Sequence, residues 1–121
     1  MPEAKARITK FEIMTTQSPN FSGLSFENSG QYEKIFARAH GELDPTDRRN
    51  ALITDIQNAP RNARGMVEYS TDVHIFAPTE RFRGNGRMFY GVVNRGNKGH
   101  GAFNDVGGNN PTTAADAGTD F

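Results

Sequence analysis

Met88-Phe89-Tyr90-Gly91-Val92-Val93-Asn94-Arg95-Gly96-Asn97 carries the most informative apolar pattern of the chain. It is a compact apolar run that breaks abruptly into Asn, Arg and glycine. Met88, Tyr90 and Val92 take one parity, and Phe89 and Val93 take the other. A strand with one wet face alternates; a strand covered on both faces need not. The run therefore predicts a central strand of a layered α/β domain, with a glycine-rich loop from Gly96 to Gly108 at its C-terminal end, where such folds place their sites. Beyond that loop, Thr113 with Asp116 three residues on predicts a capped helix start shortly before Phe121.

Strands are predicted near 7–14, 32–43, 51–57, 66–77 and 87–94, joined as a mainly β, antiparallel meander. Phe11 and Ile13 share a face opposite Lys10 and Glu12; Val67, Tyr69, Val73 and Ile75 share one opposite Glu68, Ser70, Asp72 and His74. Residues 32–43 alternate Ile35, Ala37 and Ala39 with Phe36, Arg38 and His40, and Asp44-Pro45 ends the element. In the preceding loop, Phe21, Leu24 and Phe26 are expected to pin the chain to the core. Asn85-Gly86 supplies the positive-φ pair of a tight hairpin leading into the opening strand. Residues 98–121 read as loop and the start of a first helix, within one unit covering 1–121.

Composition bounds the function. The hydrophobic fraction is 35% and the mean hydropathy −0.70, polar for a domain, yet nine Phe and three Tyr argue against full disorder. Fourteen basic residues balance fourteen acidic ones, so no global field favours nucleic acid or an anionic membrane. No cysteine is present, which excludes disulfides, thiolate metal sites and a Cys nucleophile. No apolar segment follows Met1–Arg7 as a secretory leader would, and no run reaches the ~18 apolar residues of a membrane span, so a cytoplasmic location is the default expectation.

The strongest candidate chemistry is the loop Asn94, Arg95, Gly96, Asn97, Lys98, Gly99, His100 and Gly101. Its small residues bring backbone N–H groups to a strand end, which is how α/β hydrolases build part of an oxyanion hole. The competing reading is a surface loop. Arg81, Arg83, Arg87 and Lys98 form a local basic cluster, a candidate anion site or a solvated hairpin. Arg95 is expected to steady the loop, with Asp105 a candidate partner, or to point to water. His40, His74 and His100 have no metal-ligand spacing, so no metal site is expected. Gly84-Asn85-Gly86 lacks the third glycine of a nucleotide fingerprint, and no cofactor is expected. No Gly-x-Ser-x-Gly occurs among Ser18, Ser22, Ser25, Ser29 and Ser70, so no catalytic nucleophile is identified.

At this point the residues carry a resemblance. The block from Ala59 to Val73, the Arg38-Ala39-His40 preceding Asp44-Pro45, and Tyr90-Gly91-Val92-Val93-Asn94-Arg95-Gly96 resemble a family of bacterial alpha/beta hydrolase domain proteins. Asn110 to Gly118 is similar to that family's approach to its first helix. The resemblance covers about residues 7–121. It implies the N-terminal β-rich portion of a longer esterase-like hydrolase, working through a serine acyl-enzyme on an ester-type small molecule, with the elbow and histidine supplied by later sequence. On that reading the 121 residues alone are inactive, and a sheet edge is left exposed for self-association. The alternative is a stand-alone β-rich ligand-binding or assembly module without catalysis.

Overall fold

A computed structural model describes residues 6–98 and 108–117. The protein is mainly β: a four-stranded antiparallel sheet with no helix beyond single 3₁₀ turns among the described residues. The strands are β1 (Ala6–Gln17), β2 (Ser25–Phe26), β3 (Gly30–Leu43) and β4 (Val67–Pro78). β3 is the hub, with β1, β2 and β4 all pairing to it. β2 and β3 form a tight antiparallel pair with Ser25 opposite Gln31 and Phe26 opposite Gly30. No helix of the described residues is long and apolar enough to cross a membrane.

Three of the five predicted strands are present; β1 and β3 run longer than their alternation suggests, and β4 keeps its predicted length shifted by one residue. Two are corrected. Residues 51–57 are turn and 3₁₀ structure: Asp55 adopts φ 59°, which no strand tolerates, and Leu52 is 94% exposed. Residues 87–94 contain no strand either. Among the described residues the run expected at the centre of a sheet pairs with no strand, and only a bridge between Asn94 and Asn97 forms. Met88, Phe89, Tyr90, Val92 and Val93 are 53–84% exposed. The expected positive-φ pair at Asn85-Gly86 does not form: Gly86 takes φ 74° and Asn85 does not, its side-chain oxygen instead accepting from the Arg87 N–H at 2.9 Å in a turn that joins no two strands.

By contact density the chain divides into two compact units, Met1–Thr15 with Phe36–His74 and Thr16–Ile35 with Ile75–Phe121. In the first, Ala37, Ala39 and Gly41 are buried on one face of β3, and Ile56 of the following loop is buried as well. Phe36 and His74 meet edge to face at 4.9 Å, and Arg38 donates to Asp72 at 3.0 Å. The long loop after β3 is fixed by its own polar side chains. Asp44 accepts from Thr46 N and Oγ1 at 2.8 and 2.6 Å, Asp47 caps the turn Arg48–Asn50 through Arg49 N at 2.9 Å, and Gln57 donates to the Pro45 carbonyl at 2.6 Å.

In the second unit the core is aromatic. Phe21 is fully buried, stacks on Phe76 at 5.8 Å and receives the edge of Phe26 at 5.9 Å; Phe26 meets Tyr32 at 5.6 Å. Two of the three expected loop anchors therefore hold, while Leu24 is exposed. Phe21, Ser22 and Gly23 lie consecutively at φ 51°, 55° and 79°, a strained corner that the surrounding contacts must hold. Those contacts reach the C-terminal segment. Asn20 Nδ2 donates to the Pro111 carbonyl at 3.2 Å, Ala114 N donates to Ser22 Oγ at 3.1 Å, and Lys34 Nζ donates to Asn110 Oδ1 at 2.6 Å. Asp116 accepts from Thr112 N, Thr113 N and Thr113 Oγ1 at 2.9, 2.9 and 3.0 Å, so the expected cap exists, but on a single 3₁₀ turn, Ala114–Asp116.

Candidate functional site

The predicted oxyanion loop is a preformed tight turn. Asn97 N donates to the Asn94 carbonyl at 3.0 Å and Asn94 N returns the bond to Asn97 O at 3.1 Å. The two residues between, Arg95 and Gly96, take φ 53° and 79°, the positive pair that a two-residue hairpin turn needs. Glycine adopts this freely and arginine does not, so something must hold the corner. Asn109 does: its Nδ2 donates to Gly96 O at 3.2 Å and to Asn97 Oδ1 at 3.4 Å, while its Oδ1 accepts from Lys98 N at 2.9 Å. Lys98 Nζ closes the ring on the Asn109 carbonyl at 2.6 Å.

This staple leaves the backbone N–H groups of Arg95 and Gly96 without an acceptor among the described residues. Neighbouring Lys34 and Lys98 are partly enclosed. Burial pushes both amines below their ordinary value, and the charge of Lys34 lowers Lys98 further. The arrangement offers adjacent N–H donors and two cationic side chains, features suited to an anion or a developing oxyanion. Gly99, His100, Gly101 and Asp105 lie outside the described residues.

The basic cluster is only partly available. Arg81 pairs with Glu33 and also donates to the Pro78 carbonyl. Arg83 donates to the Asn28 carbonyl at 3.0 Å and to Glu80 at 3.4 Å. Both guanidiniums thus tie the segment after β4 to earlier chain, and Glu33 is held below the usual carboxylate range by the Arg81 hydrogen bond. Arg87 is exposed. Ser25, Ser29, Gly30, Gln31, Thr79, Glu80 and Arg83 line a shallow polar cleft of about 240 Å³.

No family model, curated protein or solved structure matches the chain. No cluster of three or more His, Asp or Glu able to hold a metal occurs among the described residues.

One further charged cluster has no counterpart in the sequence pattern. Glu42 on β3, 2% exposed, is clasped by Arg7 Nε of β1 at 2.8 Å, by Arg64 Nη2, and by Asn62 Nδ2 at 3.3 Å. Its carboxyl is held below the usual range, first by the Arg64 hydrogen bond and then by that of Arg7, against burial, which pushes the other way. Asn62 also accepts from Arg64 N at 2.9 Å and Met66 N at 3.1 Å. The distinctive block around residues 59–73 thus builds a loop that delivers Arg64 and Asn62 to a buried carboxylate.

Proposed function

We propose that this chain is the N-terminal β-rich portion of an esterase-like α/β hydrolase. In this reading, Met88–Val93 becomes a sheet strand when later sequence docks beside it, and the Asn94–Asn97 turn lends N–H groups to the oxyanion hole. The observation that carries the reading is the pairing of two features. Five large apolar side chains, each more than half exposed, immediately precede a turn that Asn109 braces through Gly96 O and Lys98 N. Burial of each such side chain is worth about 1.5–3 kcal/mol, so a sequence that keeps them contiguous and exposed fits a surface awaiting a partner. The resemblance of residues 90–96 and 110–118 to alpha/beta hydrolase domain proteins supports the same assignment.

The experiment compares the 121 residues with the polypeptide encoded by the whole reading frame that contains them. The longer protein is expected to hydrolyse p-nitrophenyl acetate and the 121 residues to leave it at the buffer rate. A reading frame without a nucleophile elbow, or turnover by the 121 residues, removes the proposal. The second reading, a stand-alone binding module, is favoured by the polar cleft around Arg83 and Gln31. Its mark is saturable binding of a small polar ligand by the 121 residues, lost in Gln31→Ala.

A further inference from the structure

β1 pairs with β3 alone among the described residues, and so presents one free edge. Edge strands are usually blunted by Pro, bulges or inward charges. β1 is twelve residues long and has no Pro; Ile8, Phe11, Ile13 and Met14 are 46–61% exposed. Its charged pair sits in the middle, Lys10 Nζ lying 3.3 Å from Glu12 Oε1.

The order of residues along this strand is self-complementary. A twofold axis perpendicular to the sheet pairs two copies antiparallel and keeps faces matched, so residues of like parity stand opposite. With the axis through Phe11, Lys10 of one copy stands opposite Glu12 of the other, and Ile8 opposite Met14. On the other face Phe11 meets Phe11 and Thr9 meets Ile13. Shifting the axis to Lys10 or to Glu12 sets like charges against each other, which is destabilising. Charge therefore selects one register, and the apolar ends of the same face match in it.

We propose that β1 is a dimerisation edge that joins a second copy of this chain antiparallel about Phe11, making one continuous sheet across the twofold. Lys10 and Glu12 select the register, and Ile8, Met14 and Phe11 supply the apolar contact.

The test uses the 121-residue chain and sedimentation equilibrium, with circular dichroism confirming that each variant is folded. Wild type is expected to self-associate. Lys10→Glu and Glu12→Lys, each creating two like-charge pairs across the axis, are expected to weaken this about tenfold or more. Mixing those two variants restores association as a heterodimer, because both pairs across the axis then join opposite charges again. The double variant K10E/E12K restores it in one chain for the same reason. Because the chain has no cysteine, Phe11→Cys gives an independent readout. Opposed residues of an antiparallel pair have Cα atoms roughly 4.5–5.5 Å apart, within disulfide reach, so Phe11→Cys oxidises to a linked dimer. Ile13→Cys stays unlinked alone and links only when mixed with Thr9→Cys. Three outcomes overturn the proposal: a monomeric wild type, failure of the two charge variants to associate when mixed, or Ile13→Cys linking as readily as Phe11→Cys.

Discussion

The ring of Tyr69 on β4 lies directly over the backbone of Gly41 on β3, so close that a Cβ at position 41 would fall 2.7 Å from Cε1 and nearer still to Cζ and Oη. Gly41 is buried beneath it, an aromatic ring filling the space that a missing side chain leaves. Gly41→Ala is therefore expected to cost about 1–3 kcal/mol through overpacking. Tyr69→Ala is expected to be destabilising alone but to remove most of the penalty of Gly41→Ala. Urea unfolding of the two single variants and the double variant measures the coupling; additive costs would mean that the ring moves aside freely.

Glu42 sets a pH dependence. Its carboxyl is held low by Arg64 first and Arg7 second, so its folded value lies below its unfolded one. The unfolded chain then binds the proton more readily, and the stabilisation is full above the ordinary glutamate value of about 4.3. It is lost as the pH falls through the lower folded value. Glu12, lowered by the His40 and then the Lys10 hydrogen bond, and Asp116, lowered chiefly by the Thr112 and Thr113 amides, act in the same direction. Glu42→Gln is expected to lower the urea midpoint at neutral pH and to flatten the acid limb. An acid limb unchanged from wild type would show that the clasp contributes nothing to acid stability.

The three long strands are legible in the sequence because alternation reports the two faces of a strand directly. Residues 88–94 show the limit of that signal. Apolar residues on both parities describe what a strand needs on its faces, and the pattern contains no information on whether a neighbour exists to pair with it. Residues 51–57 mislead for a local reason: the short apolar group around Ile53 is cut by the left-handed Asp55, which periodicity ignores. At the candidate site, the turn residues Asn94–Asn97 are identifiable from glycine and asparagine chemistry, whereas Asn109, which holds them, looks like one more polar loop residue. Arg7, Arg64 and Glu42 are invisible in the sequence because partners 35 and 22 residues apart leave no local spacing to detect.

The exposed apolar segment makes a prediction that separates stability from assembly. Tyr90 and Val92 are 74% and 80% exposed, so Tyr90→Asp and Val92→Asp are expected to change the unfolding free energy of the 121 residues by less than about 0.5 kcal/mol. Both substitutions are expected to reduce binding of the dye ANS and aggregation on heating. If the chain is the hydrolase portion proposed above, the same changes are expected to abolish folding or activity of the longer protein, because a charge would then lie inside a sheet. A large loss of stability in the short chain would mean that these side chains are already covered.

The turn itself can be dissected with three substitutions that act through different physics. Gly96 sits at φ 79° with open space where a Cβ would go, so Gly96→Ala meets no clash and incurs only the left-handed backbone penalty, about 1–2 kcal/mol. Arg95 already bears that strain at φ 53°, and Arg95→Gly relieves it. Asn109→Ala removes the staple on Gly96, Asn97 and Lys98 while leaving the turn sequence intact. Hydrogen exchange at the Asn97 amide, which closes the turn onto Asn94, reads all three. Gly96→Ala and Asn109→Ala are expected to speed that exchange and Arg95→Gly to slow it. If Asn109→Ala left the amide as protected as in wild type, the turn would be held by its own two backbone bonds, and Asn109 would lose its role as the residue that readies the loop.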